Sequence, residues 1–205
     1  MIRLDRAPGR WTLTIDRPEK ANSLTRAMLE DLAGAVEGAA AAKVPVLVLT
    51  GAGKVFSAGA DLDEARAGLA RDGVWERLSG AIAGFPGLSI AALNGTLAGG
   101  AFGMALACDL RIAVPGARFF YPAIRLGFLP QPSDAGRLIA LLGPARAKLI
   151  LMAGQKLSAE EALSFGLIDR IVEPEALREA VDALAEAAEA AKPEVREAIK
   201  GMFGG

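Results

Sequence analysis

"LSIAALNGTLAGGAFGMALACDLRIAV", residues 88–114, holds the pattern from which the rest of the chain can be ordered. "LSIAALNG" is a short continuous apolar run ended by turn residues, as expected of a strand buried on both faces. The glycines at 95, 99, 100 and 103 then open an apolar helix over about 99–107, and "LRIAV" returns as a strand. Bare glycine backbone at a helix start permits close approach, and the first turn of a helix presents N–H groups with no intrahelical partner at the positive end of its dipole.

The same grammar repeats upstream. "VPVLVLT" (44–50) is a second β-branched buried strand, and "GAGKVFSAGADL" (51–62) is a loop leading into a helix. Earlier still, "RWTLTID" alternates Trp11, Leu13 and Ile15 on one face of a half-buried strand. "RPEKANSLT" supplies turn chemistry, and Met28, Leu29, Leu32 and Val36 share one helical face. From residue 134 onward the pattern is helical, with a capping-box signature in "SAEE" (158–161). "EALREAVDALAEAAEAAKPEVREAIKGMF" reads as an amphipathic helix broken near Pro193 and then resumed. Strand–helix alternation with a helical tail predicts an α/β fold without a second domain.

Composition narrows the chemistry. The chain has 205 residues, 52% hydrophobic and 23% charged, with a net charge of −1 and no histidine. Such a chain can build a sizeable core. The absence of histidine removes Ser-His-Asp and Cys-His nucleophile pairs, imidazole bases and histidine-based zinc sites, and no metal site is expected. No basic stripe interleaved with aromatics suggests a nucleic-acid partner. Cys108 sits in an apolar run and reads as a buried, inert thiol. The N-terminus, with Arg3, Asp5 and Arg6, does not read as a signal peptide. No apolar run approaches the roughly 18 residues that span a bilayer. A soluble cytoplasmic protein with no membrane partner is the expectation.

Two tempting motifs fail. "TGAGKV" lacks the P-loop glycine, since position 48 is Val, and the following Ser or Thr, since position 55 is Val. The glycines of 95–103 do not have G-x-G-x-x-G spacing. What remains is a pair of Gly/Ala loops, "FSAGADL" (56–62) and "GTLAGGAFG" (95–103), each leaving a buried strand for a helix. Two helix starts aimed at one point would form an oxyanion hole for a carbonyl oxygen that gains negative charge. The alternative is that these glycines only allow tight turns and close packing.

The stretches "IDRPEKANSL", "VLVLTGAGKVFSAGADL", "AALNGTLAGGAFGMALACDLRIA", "IRLGFLP" and "LSAEEALSFGLIDRIV" together resemble the crotonase superfamily, the enoyl-CoA hydratase/isomerase family, over about residues 2–175. The resemblance implies a superhelix of repeated ββα turns with a helical C-terminal region. It also implies assembly as a homotrimer or a dimer of trimers, and an acyl-CoA thioester substrate. Coenzyme A would then belong to the substrate, and no separate cofactor is implied. By position, the donor amides would be those of Ala60 and Gly100, with Gly99 beside them. Ala58, Asp61 and Leu62 would line the CoA path, and Lys20, Ala21 and Leu24 would belong to the segment meeting the CoA phosphates. Asp61 also reads as a helix cap. Residues 1–190 would form the acyl-CoA-binding core and 191–205 a C-terminal helix shorter than the family's.

Two departures from the family pattern bear on the chemistry. Hydratases of this family carry one glutamate three residues after the oxyanion-hole glycine and another in a "PExxLG" motif; here those positions are Gly103 and Ala123. Hydration needs a base for water and an acid for Cα, so the losses disfavour a standard hydratase. Isomerase, thioester hydrolase and decarboxylase chemistry stay open, beside a non-catalytic acyl-CoA-binding protein. Gly103 either makes room for a bulky acyl group or allows close packing. Some relatives place an acid after the "LG-x-x-P" turn, where this chain has Gln131; Asp134, slightly further on, is the replacement candidate. Asp134 can equally be, with Ser133, the N-cap of a helix from about 135. Tyr121 and Glu64 are secondary candidates.

Overall fold

In the computed structural model, which describes residues 1–203, nine strands form two sheets and ten α-helices pack on them. The chain begins with an antiparallel hairpin, β1 (Ile2–Ala7) and β2 (Arg10–Ile15), turned at Pro8 and Gly9. Helix α1 (Arg26–Ala41) follows, its N-cap Thr25 accepting the Met28 amide. As the periodicity predicts, Met28, Leu29, Leu32 and Val36 are all buried along α1.

Three ββα turns come next. Strand β3 (Val46–Gly51) leads to β4 (Val55–Ser57) and α2 (Leu62–Arg66). After α3 (Val74–Ala83), β5 (Leu88–Leu93) leads to β6 (Thr96–Ala98) and α4 (Phe102–Ala107). Then β7 (Leu110–Ala113) leads to β8 (Phe119–Phe120) and α5 (Ala123–Leu126). The chain continues through α6 (Pro132–Leu142), α7 (Pro144–Leu151), α8 (Ala159–Phe165), β9 (Arg170–Ile171), α9 (Leu177–Ala190) and α10 (Pro193–Gly201). The capping box at Ser158 and Glu161 is present, and the tail helix breaks before Pro193 as its sequence predicts. The C-terminal segment expected over 191–205 lies outside the described residues at 204 and 205.

The large sheet runs β1-β2-β3-β5-β7-β9, parallel beyond the first hairpin, with Leu47 opposite Trp11 and Ser89. Alternation along β3 divides its side chains between two layers. Leu47 and Leu49 enter the main core beneath α1 and α3, while Val46 and Val48 pack outward against Val181 and Ala185 of α9. Both faces are therefore covered, which is why β3 reads as an unbroken apolar run rather than an alternating one.

The segment 51–62, expected to be a loop, contains β4. Three residues are too few for a periodicity signal, and β4 exists because β6 pairs with it, β8 pairing with β6 in turn, in a small parallel sheet ordered β4-β6-β8. This small sheet positions the candidate site. Its strands end side by side at Ser57, Ala98 and Phe120, so the residues that follow each strand emerge at one edge.

Candidate functional site

Those three strand ends surround one cavity of about 90 Å³, lined by Ala58 and Ala60 after β4, Gly99 and Gly100 after β6, and Tyr121, Pro122 and Ala123 after β8. Trp75, Leu62, Ala65, Phe128 and Gln131 are among the residues that complete the wall, which carries no charged side chain.

The two Gly/Ala loops touch. Gly59 has φ +92°, and a Cβ there would lie 2.8 Å from the Ala98 carbonyl oxygen and 3.3 Å from the Gly100 nitrogen. Only glycine accepts both that backbone and that neighbour. The loop is held from the other side by parallel pairing with the 22–24 segment, where the Leu24 amide donates to Gly59 O and the Asp61 amide to Leu24 O, each at 2.8 Å. That pairing turns the intervening Ala60 amide away from Leu24. Among the described residues, neither the Ala60 amide nor the Gly100 amide donates to any protein group. Ala60 and Gly100, from separate segments and each with an unpaired amide, thus both line one apolar cavity.

The other residues singled out from the sequence distribute differently. Leu62, 60% exposed, lines the cavity, and Ala58 is exposed at its edge with its amide bonded to Ala21 O at 3.0 Å. Lys20 is exposed in a 3-10 turn over Pro18–Lys20, outside the cavity wall. Leu24 is a correction: its side chain is wholly buried in the core, so its part is to place the Ala60 loop through backbone pairing, not to touch a ligand with its side chain. Asp61 is the N-cap of α2, accepting the Asp63 amide, and it is paired with Arg17 at 2.8 Å. The Arg17 hydrogen bond holds the Asp61 carboxyl below its ordinary range. Glu64 faces away and accepts the Arg26 amide at the start of α1.

Asp134 is also corrected in its structural role. The N-cap of α6 is Gln131, and the helix starts at Pro132, two residues earlier than capping by Ser133 requires and three earlier than capping by Asp134 requires. Ser133 instead bonds Glu76 through both its amide and its hydroxyl. Asp134 is completely buried, with Oδ2 accepting the Tyr121 hydroxyl at 2.8 Å and Oδ1 left without a partner. Burial raises the Asp134 carboxyl to about 6, against opposing contributions from the Tyr121 hydrogen bond and the Arg137 charge. The Tyr121 phenol is pushed far upward, first by burial and then by Asp134, so it stays protonated near neutrality.

Gly103 explains where that carboxyl has gone. A Cβ on Gly103 would lie 2.9 Å from Asp134 Oδ1. The hollow left in α4 is filled by a carboxyl from α6, not kept open for substrate, so of the two readings of Gly103 close packing holds. Gly100 has a similar neighbour: a Cβ there would meet the Trp75 indole at 3.1–3.2 Å. Trp75 is buried and anchored by its Nε1, which donates to Leu69 O at 2.9 Å. No sequence signal marks Trp75, because nothing local to α3 shows which helix start its ring covers. Cys108 is buried as predicted, with its thiol pushed up to about 12 by desolvation.

Comparison with known proteins now decides the family. The enoyl-CoA hydratase/isomerase family model matches residues 9–203. The chain belongs to the enoyl-CoA hydratase/isomerase family. It is 36% identical over 178 residues to the short-chain-enoyl-CoA hydratase of Clostridium acetobutylicum, covering 80% of this chain and 66% of that protein. Enoyl-CoA hydratase subunit I of Geobacillus kaustophilus superposes with a TM-score of 0.88 at 34% identity, over 98% of this chain and 80% of that one. The enoyl-CoA hydratase of Bacillus anthracis gives 0.91 at 32% identity, over 98% and 81%. The α/β fold with its small inner sheet and helical C-terminal region is that of the crotonase superfamily. Among the described residues, no helix is long and apolar enough to cross a membrane.

Proposed function

We propose that this family member processes acyl-CoA thioesters by holding the thioester oxygen between the Ala60 and Gly100 amides while negative charge develops on it. The observation that carries this reading is the pair of unpaired N–H groups on abutting loops at one apolar cavity. Apolar walls strengthen such hydrogen bonds, and loss of one donor typically costs about 2.7–4 kcal/mol of transition-state stabilisation. Leu62 and Ala58 would flank the pantetheine arm, and exposed Lys20 would meet the phosphates.

Neither Gly103 nor Ala123 offers a carboxylate, so the acid–base group must come from elsewhere. Asp134 is the buried carboxyl nearest this machinery, raised toward the range in which an acid–base group works near neutral pH. This supports enolate chemistry, such as double-bond isomerisation, ahead of ordinary hydration. Leu126 and Leu129 line the cavity yet are 53% and 84% exposed, which supports completion of the site by neighbouring copies in a trimer or hexamer.

A second reading has one observation in its favour: Asp134 carries no exposed surface and does not line the cavity. On that reading the protein binds acyl-CoA without turning it over. A panel of enoyl, 3-hydroxyacyl and saturated acyl-CoA thioesters separates the two. Turnover that falls by at least ~100-fold in Asp134→Asn, with binding intact by calorimetry, is expected. Binding without turnover by the wild type selects the second reading, and no binding at all sinks both.

A further inference from the structure

The cavity and the buried carboxyl are joined by a single side chain. Tyr121 lines the cavity, and its hydroxyl donates to Asp134 Oδ2 at 2.8 Å while accepting the Gln131 amide at 3.3 Å. A phenol oxygen has two lone pairs and one proton, so one lone pair remains after these bonds. The ring is fixed from behind by Phe102 of α4, with ring centroids 5.5 Å apart. Asp134 Oδ1 has no partner and is lodged against Gly103, so the carboxyl is held in place by packing on one side and by the phenol on the other.

We infer that Tyr121 is a proton relay between the bound acyl group and Asp134. This rests on the thioester reading given above. A proton leaves the acyl Cα for Tyr121 Oη as the phenol's own proton passes to Asp134 Oδ2. The C–H electron pair stays on the acyl group as an enolate, whose oxygen the Ala60 and Gly100 amides hold. The reverse path returns a proton to Cα, giving exchange, or to Cγ of an unsaturated acyl group, giving isomerisation. Charge moves from the carboxylate to the enolate and back, and no co-reactant is consumed. Tyr121 is the residue that touches substrate; Asp134 acts through it. The phenol need never ionise, which is consistent with the strong upward shift of its pKa by burial.

The test reads proton removal directly, whatever the natural acyl group. Butyryl-CoA is incubated with the protein in D₂O, and loss of the Cα proton signal is followed by NMR, with calorimetry reporting butyryl-CoA binding. The wild type is expected to exchange the Cα protons. Tyr121→Phe and Asp134→Asn are each expected to slow exchange at least ~100-fold with binding changed less than about threefold. The double variant is expected to be no slower than the slower single one, because the two act as a unit. The chain has one tyrosine, so 3-fluorotyrosine enters only at 121. A rate altered by the more acidic phenol at unchanged affinity supports the relay, whereas an unaltered rate means the ring only packs. Exchange at the wild-type rate in Tyr121→Phe overturns the relay. Binding of butyryl-CoA by the wild type with no exchange overturns it while leaving the thioester site standing. Failure to bind overturns the thioester reading itself.

Discussion

At the scale of single residues, Asp134 is the position where energy and function are most closely tied. Its carboxyl titrates at about 6 in the folded chain against an ordinary value of 3.8, with burial as the main cause. Tyr121 and Arg137 favour its charged form, and Glu76 opposes it. A raised carboxyl binds its proton more tightly when folded, so its contribution to stability is complete below about pH 4 and lost as pH rises through 6. A rise of that size corresponds to about 2–3 kcal/mol. The fall in urea-unfolding stability between pH 4.5 and pH 7 is therefore expected to be smaller in Asp134→Asn than in the wild type, by up to that amount. Identical pH slopes for the two would show that Asp134 titrates normally. The sequence offered Asp134 as one candidate among several but held no sign of its burial, since Gln131, Ser133 and Asp134 are all polar residues at a helix start. Which of them caps, which binds Glu76 and which is enclosed depends on the elements that surround α6.

Between elements, the space beside Gly103 can be refilled from the other side. Helix α4 carries no side chain at Gly103, and Asp134 of α6 lies against it. Gly103→Glu alone places a second carboxyl against the first, and steric overlap and like charge are expected to destabilise the fold by about 2–4 kcal/mol. Gly103→Glu combined with Asp134→Ala is expected to recover at least half of that loss. Independent, additive effects in chemical denaturation would mean the two positions do not share one space. Local pattern was a good guide where it governs: α1 and the box at α8 follow from their own residues. It failed for β4, β6 and β8, strands of two or three residues that exist only because they pair.

For the whole molecule, the outer face of the large sheet depends on α9. Ala185 is fully buried and Val181 nearly so, over Val46, Val48, Ile90, Ala92 and Ile112. Ala185→Asp would bury an unpaired charge and is expected to cost more than about 3 kcal/mol, seen as a lowered denaturation midpoint and exposed apolar surface. An unchanged midpoint would mean α9 is dispensable to the sheet. Read on its own, the sequence carried the longer buried strands, α1, the α8 cap and the two Gly/Ala loops, because apolar periodicity, turn residues and capping signals are local, and its motifs carried the resemblance to the family. Long-range packing settled that Trp75 covers Gly100, that Leu24 serves through its backbone, and that Asp134 occupies the hollow at Gly103 behind Tyr121. These contacts join residues distant in the chain, and a buried group's acidity and partners are set by what packs around it, which no single segment encodes.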